Sequence, residues 1–297
     1  MTAQGKFVNK TDEGLKLTPK GRALGIFSLL TAIGLLLGLL NVPLAASAAN
    51  AVDVLHINEA VPHDPQSPLW QQATEADIPL SAQQMQQPGG GSTTEVRVRA
   101  LEDGQNFAIM VSWDDDTKND TIGAVPSDAA AIQLPIDPQH LPYQCMGQSN
   151  SRVNIWQWKA ALEKTGEQQL QANAMEAAGA RNLTSNGICK AVDTTGVAPS
   201  AQSYHDGKQW HVVYWRELYK GDINTAPIVR ETNSSIAFAI WNGAHGETRG
   251  MKSVSTWNTL AFQTPPVSPA GGLLTLAVVI LVGAGIVGWA MRRYGKA

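Results

Sequence analysis

Apolar and polar positions along this chain fall into three regimes. Two runs, residues 23–50 and 271–291, carry no charged side chain. Between them lie short alternating stretches joined by polar, Gly- and Pro-containing connections. The clearest alternation is TEVRVRALEDGQNFAIMVSWDDDT, ending at Thr117. Val96, Val98 and Ala100 alternate there with Glu95, Arg97 and Arg99, the period of two that marks a half-buried strand. Glu102-Asp103-Gly104-Gln105 reads as a turn. Phe107, Ile109, Val111 and Trp113 then resume the alternation, so the stretch predicts a β-hairpin. HVVYWRELY (211–219) and SSIAFAIWNGA (234–244) predict further strands, the second apolar on both faces like a central strand covered on both sides. EKTGEQQLQANAMEAAGARN (163–182) predicts a helical or partly ordered excursion, and QQMQQPGGGS (83–92) a Gly-rich loop. With no internal repeat, short strands and long loops predict a mainly β fold: an antiparallel β-sandwich with helical insertions.

The uncharged runs change the picture from a soluble domain to a tethered one. Residues 271–291 are long enough to cross a bilayer, and Arg292, Arg293 and Lys296 follow, which places a cytoplasmic tail at 292–297. Lys6, Lys10, Lys16, Lys20 and Arg22 precede the first run and place residues 1–22 in the cytoplasm. That run is longer than a usual signal-peptide core, yet Ala46-Ser47-Ala48 fits a signal-peptidase site. Retained transmembrane anchor and cleaved signal segment both remain open for 23–50. Both runs agree on one topology. Residues 51–263 form an extracytoplasmic (periplasmic) domain at the cell membrane, joined by a Pro-rich linker at 264–270 to the transmembrane helix at 271–291.

Composition narrows the function. The 297 residues carry a net charge of −3 and no basic cluster, which argues against nucleic acid as a partner. Export makes Cys145 and Cys189 a candidate disulfide, although spacing alone does not show that they meet. No Cys-x-x-Cys-His occurs, so covalent haem attachment is excluded. No phosphate loop, nucleophile elbow or His-Glu-x-x-His is present, and the six His residues are scattered. Asp114-Asp115-Asp116 reads as a solvated turn rather than a calcium loop. No catalytic residue is assigned.

What remains is a soft donor and an amine. Met146 lies in CMG (145–147), shortly before RVNIWQWKAA (152–161), and Lys252 lies in GETRGMKSVSTWNTLAF (246–262). Taken singly, a Met in such a place is ordinarily core filler and a Lys ordinarily solvated. Together, in this order and with the VSWDDDT hairpin end, the segments resemble the haem b-binding gamma subunit of the ethylbenzene dehydrogenase type, from the type II dimethyl sulfoxide reductase family. The resemblance covers most of 52–263. It implies one non-covalent haem b inside a β-sandwich, with Met146 and Lys252 as axial iron ligands. It also implies an iron–sulfur subunit and a molybdenum-cofactor catalytic subunit, or other respiratory subunits, as partners, with a cytochrome c or quinone-linked complex exchanging electrons. Trp156 and Trp158 are candidates for the porphyrin walls, with Trp241 and Trp257, although all four serve equally well as core. Arg152 and Arg249 are candidates for the propionates. The membrane helix departs from the soluble subunits of the family and leaves the partner enzyme open. The leading expectation is therefore a membrane-anchored b-type cytochrome subunit that relays single electrons and catalyses nothing itself. A sugar-binding module and a haem-free structural accessory subunit are the alternatives.

Overall fold

Each alternating stretch folds as a strand with its apolar side turned inward. The computed structural model describes residues 51–142, 146–163, 179–230 and 232–263, with helical residues at 282–285, 288–289 and 292. The expected hairpin is β4 (Glu95–Glu102) against β5 (Asn106–Asp114), and Val96, Val98 and Ala100 of β4 are buried as the pattern required. The other expected strands appear as β11 (Gln209–Glu217) and β12 (Ser234–Trp241). Around them lie β1 (Ala51–His56), β2 (Ala76–Pro79), β3 (Ser81–Ala82), β6 (Ala129–Pro135), β7 (Val153–Lys159), β8 (Arg181–Ser185), β9 (Val192–Asp193), β10 (Ser200–His205), β13 (Ser253–Val254) and β14 (Asn258–Phe262). A single helical turn, α1 (Ala160–Glu163), follows β7. Residues 164–178 of the expected helical excursion lie outside the described residues, and its last two positions, Arg181 and Asn182, begin β8.

Hydrogen bonding joins these strands into one mixed sheet, in the order β10-β11-β5-β4-β1-β14-β12-β6-β7-β8-β9, with β2, β13 and β3 alongside. The purely antiparallel expectation is corrected at β1, which pairs parallel to both β14 and β4. Parallel neighbours need long crossover connections, and β1, at the start of the domain, is far in sequence from β14. β12 links the halves: Ser234, Ser235 and Ile236 pair with β14, whereas Ala237 to Trp241 pair with β6. Beyond this change of partner the open sheet folds back over itself. Tyr214 of β11 donates its hydroxyl to the Ala130 carbonyl of β6 at 2.9 Å, and Trp158 of β7 meets Trp210 of β11 edge-on with ring centroids 5.0 Å apart. These strands stand far apart in the sheet order, so they touch only because the two halves cover one another.

The shared interior holds Trp113, Trp156, Trp158, Trp210, Phe107 and Phe238 among aliphatic side chains. Tilted and edge-on aromatic pairs of this kind contribute about 0.5–1.5 kcal/mol each beyond their burial. Asp115, in the acidic run expected to be solvated, is buried and accepts from the Thr117 amide at 3.0 Å and from its hydroxyl, while Asp114 and Asp116 are exposed. The chain divides into two compact units, Ser47–Pro265 and the terminal segments Met1–Ala46 with Pro266–Ala297. No helix among the described residues is long and apolar enough to cross a membrane. The expected span at 23–50 lies outside the described residues, as do the linker at 264–270 and all but a few positions of 271–297.

Candidate functional site

Strand alternation gives β6, β7 and β12 two opposite faces. Ala130, Ile132, Leu134, Trp156, Trp158, Ile236 and Ile240 point to the shared core. The odd-numbered positions point the other way, and four of those that line a cavity are alanine. Strand register sets them in rows: Ala237, Gln133, Ile155 and Leu183 lie across the sheet in one row. Val254, Ala239, Ala131, Gln157 and Arg181 make the next, and Trp241, Ala129 and Lys159 the third. Four alanines (Ala129, Ala131, Ala237, Ala239) thus make a low, flat floor. Above it is a cavity of about 960 Å³, at the upper end of the roughly 300–1,000 Å³ typical of small-molecule and cofactor sites. The cavity therefore lies on the outer face of one half of the sheet, not between the two halves where the ligand was expected.

Loops build its walls. On one flank the 83–91 loop folds over: the buried Gln83 donates from Nε2 to the Gly250 carbonyl at 2.6 Å and to Gln86 O at 3.1 Å. The same loop clamps the Lys252 backbone, through Lys252 N–H to Gly90 O at 3.0 Å and Gln83 N–H to Lys252 O at 2.9 Å. Lys252 lines the cavity with Nζ 4.8 Å from the centre of the Trp241 ring. Trp241 in turn donates from Nε1 to the Arg249 carbonyl at 3.0 Å, which fixes the turn before Lys252. On the other flank Met146 lines the cavity and packs against the small apolar cluster of Val153, Ile155, Leu183 and Trp241. Its carbonyl accepts from Gly187 N–H at 2.9 Å, beyond the end of β8. Trp257 donates from Nε1 to the Pro142 carbonyl at 2.9 Å and ties down the loop before Met146. The Met and the Lys thus approach the floor from opposite flanks.

Backbone conformation singles out the same cavity. Among the described residues the non-glycine positions with left-handed φ are Met146 (60°), Cys189 (59°) and Arg249 (51°), and all three line it. Such conformations cost on the order of 1–3 kcal/mol each and gather at functional sites.

The other expected site residues are placed as follows. Arg249 lines the cavity. Trp156 and Trp158 are fully buried on the opposite face of β7. Trp156 donates to Asn154 Oδ1 at 3.1 Å and carries the Arg216 guanidinium 4.7 Å above its ring, and Trp158 donates to Glu163. Burial pulls the Arg216 guanidinium down to about 10. Arg152 donates to Asn224 Oδ1 at 3.1 Å and to the Ile223 carbonyl, beside a separate polar cleft. Cys189 is an exposed, free thiol that accepts from Gln86 Nε2 at 2.8 Å, and Cys145 lies outside the described residues. Sequence reasoning missed the alanine floor, which every-second-residue Ala in AAAIQLP and IAFAIW would have signalled, and the 83–91 loop as a wall. Lys159, Arg181 and Glu247 also line the cavity, and no local pattern marked them.

Comparison with known proteins follows the same strands. The sequence profile of the ethylbenzene dehydrogenase family matches residues 67–195, which takes in Met146 and the floor strands β6 and β7. A Haloferax mediterranei protein provisionally named as the haem subunit of a respiratory nitrate reductase is 29% identical, over 87% of this chain and 88% of its own length. The gamma subunit of dimethylsulfide dehydrogenase from Rhodovulum sulfidophilum is 25% identical, over 77% of this chain and 92% of its own. The gamma subunit of chlorate reductase from Ideonella dechloratans is 23% identical, over 72% and 86%. Among solved structures, a carbohydrate-binding module of family 9 from Caldicellulosiruptor kristjanssonii aligns with a TM-score of 0.41 and 11% identity, over 74% of this chain and 100% of that one. No functional conclusion follows from a likeness of that size. The ethylbenzene dehydrogenase profile thus lies over the strands that floor the cavity, and the chain is similar along most of its length to haem or gamma subunits of a nitrate reductase, a dimethylsulfide dehydrogenase and a chlorate reductase.

Proposed function

We propose that the chain is a non-catalytic electron-transfer subunit whose 51–263 domain holds one haem b non-covalently in the alanine-floored cavity, with Met146 and Lys252 as axial ligands. The observation that carries this reading is the convergence of a thioether and an amine, distant in sequence, on one cavity with a flat, small-residue floor. When bound, haem b supplies a one-electron carrier. The residues present suit it. The Met146 sulfur is a soft donor of the kind that raises haem potential. The Lys252 amine donates a lone pair once its proton is lost, a loss that iron itself promotes. Two protein donors, Met146 and Lys252, would leave no open position on the metal for small molecules, which suits electron transfer. Ala129, Ala131, Ala237 and Ala239 admit a flat ring that larger side chains would exclude. Trp241 walls the Lys252 side, and Arg249 adds a cation to the lining.

The relatives' names, haem or gamma subunits of reductases and a dehydrogenase, support a place in a multisubunit oxidoreductase; a molybdenum-cofactor catalytic subunit and an iron–sulfur subunit would be its neighbours there, with a cytochrome or quinone-linked complex as the other electron partner. The uncharged run at 271–291, and 23–50 where it is retained rather than cleaved, would tether the domain to the extracytoplasmic face of the cell membrane. Purified full-length chain should bind one haem per chain with a low-spin, six-coordinate absorption spectrum. Met146→Ala and Lys252→Ala should each turn it towards high spin. A domain that folds normally and takes up no haem refutes the proposal.

A further inference from the structure

We infer that Lys159 and Arg181 form the acid-binding end of the cavity and seat the two propionate carboxylates of the porphyrin. The inference rests on the haem reading above and adds the orientation of the ring.

The two side chains line the cavity from neighbouring strands. Arg181 of β8 lies directly opposite Gln157 of β7, and Lys159 is two residues farther along β7. Side chains two positions apart on one strand share a face, and diagonal neighbours across strands lie about 7–8 Å apart. One edge of the floor therefore presents two cations side by side on rigid strand positions. Both are half-buried, so a carboxylate reaching them is partly withdrawn from water, where an ion pair is stronger than at the surface. Arg181 is held in place by Asp193, with Nη2 to Oδ1 at 2.8 Å. The remaining charged cavity residues are Arg249 and Lys252, on the loop of the opposite flank, and Glu247, whose Oε2 accepts from the Asn242 amide at 2.9 Å. Lys159, Arg181 and Arg249 against Glu247 and Asp193, over a floor of alanine, suit a flat apolar ring with an acidic edge rather than a neutral sugar. Met146 enters from beyond the far end of β8, and Lys252 from beside Trp241. The Lys159–Arg181 edge is left for the substituents of the ring.

The test compares haemin with haemin dimethyl ester, whose propionates carry no charge, each titrated into the full-length chain in detergent. The wild type should prefer the diacid by roughly ten- to a hundredfold, the worth of one or two charged hydrogen bonds. Lys159→Met with Arg181→Met should erase the preference while keeping ester affinity and the low-spin spectrum. The single variants should each lose about half of it on a logarithmic scale, and Asp193→Asn should keep it. Equal affinity of the wild type for diacid and diester, with low-spin binding of both, overturns the inference and leaves the haem reading standing. So does a preference that survives the double substitution. Failure of both compounds to bind the folded wild type sinks the haem reading and this one with it.

Discussion

Gly91→Ala tests how the Lys252 side of the cavity is held, without touching any side chain in it. Gly91 has φ +144°, and a Cβ there would stand 2.4 Å from the Lys252 carbonyl oxygen and 2.5 Å from Ser253 N. Those backbone atoms must move. The hydrogen bonds at risk are Lys252 N–H to Gly90 O at 3.0 Å and Gln83 N–H to Lys252 O at 2.9 Å, together worth about 2 kcal/mol. The unfavourable φ adds about 1–3 kcal/mol, for a total of about 3–5 kcal/mol. Gly207→Ala is the control: its φ is +98°, with nothing within 4 Å of the added Cβ, so only the conformational cost applies. The difference between the variants, about 2 kcal/mol, corresponds to roughly 4–8 °C in melting temperature for a domain of this size. Thermal unfolding measures it, and the spectrum of the haem-loaded variant should gain high-spin character in Gly91→Ala alone. Equal melting of the two variants, with unchanged spectra, would refute the clamp.

The opposite face of β7 gives the complementary expectation: Trp158→Leu should destabilise by about 3 kcal/mol as a large-to-small core substitution while leaving the loaded spectrum unaltered, read by urea unfolding and absorption. Ala131→Phe should fill the floor, weaken haem uptake by more than about tenfold, and leave melting within a few degrees, since the side chain enters existing space rather than the packed core. Burial holds the His211 imidazole below its ordinary range. The folded state therefore binds fewer protons than the unfolded one, and the associated stability is present above the unfolded histidine range and lost as pH falls through the folded value. The urea midpoint should decline from pH 7.5 to 5 in the wild type, and less steeply in His211→Gln; identical slopes would contradict this.

Much of the fold was legible because half-buried strands write their period into the sequence. Val96, Val98 and Ala100 gave β4, and SSIAFAIW gave a strand with both faces covered: Ile236 and Ile240 in the core, Ala237 and Ala239 on the cavity floor. That same strand shows what periodicity leaves out. It states that both faces are covered, not by what, so the ligand was expected between the layers although the cavity lies on the outer face. Trp156 and Trp158 are large and near Met146 in sequence, yet the period of two sends them to the core and sends Ile155, Gln157 and Lys159 to the cavity. Parallel pairing of β1 and the placing of Lys159 and Arg181 on one edge of the cavity depend on register between distant segments, which no local pattern encodes. Met146 and Lys252 were singled out only by resemblance, because each alone looks like ordinary packing or an ordinary surface amine.

The most direct measurement is an experimental structure of the haem-loaded chain. The account predicts the porphyrin in the cavity lined by Ala129, Ala131, Ala237 and Ala239, with the Met146 sulfur and the Lys252 nitrogen bonded to its iron. Iron held by any other pair of side chains, or a porphyrin bound between the two halves of the sheet, would contradict it.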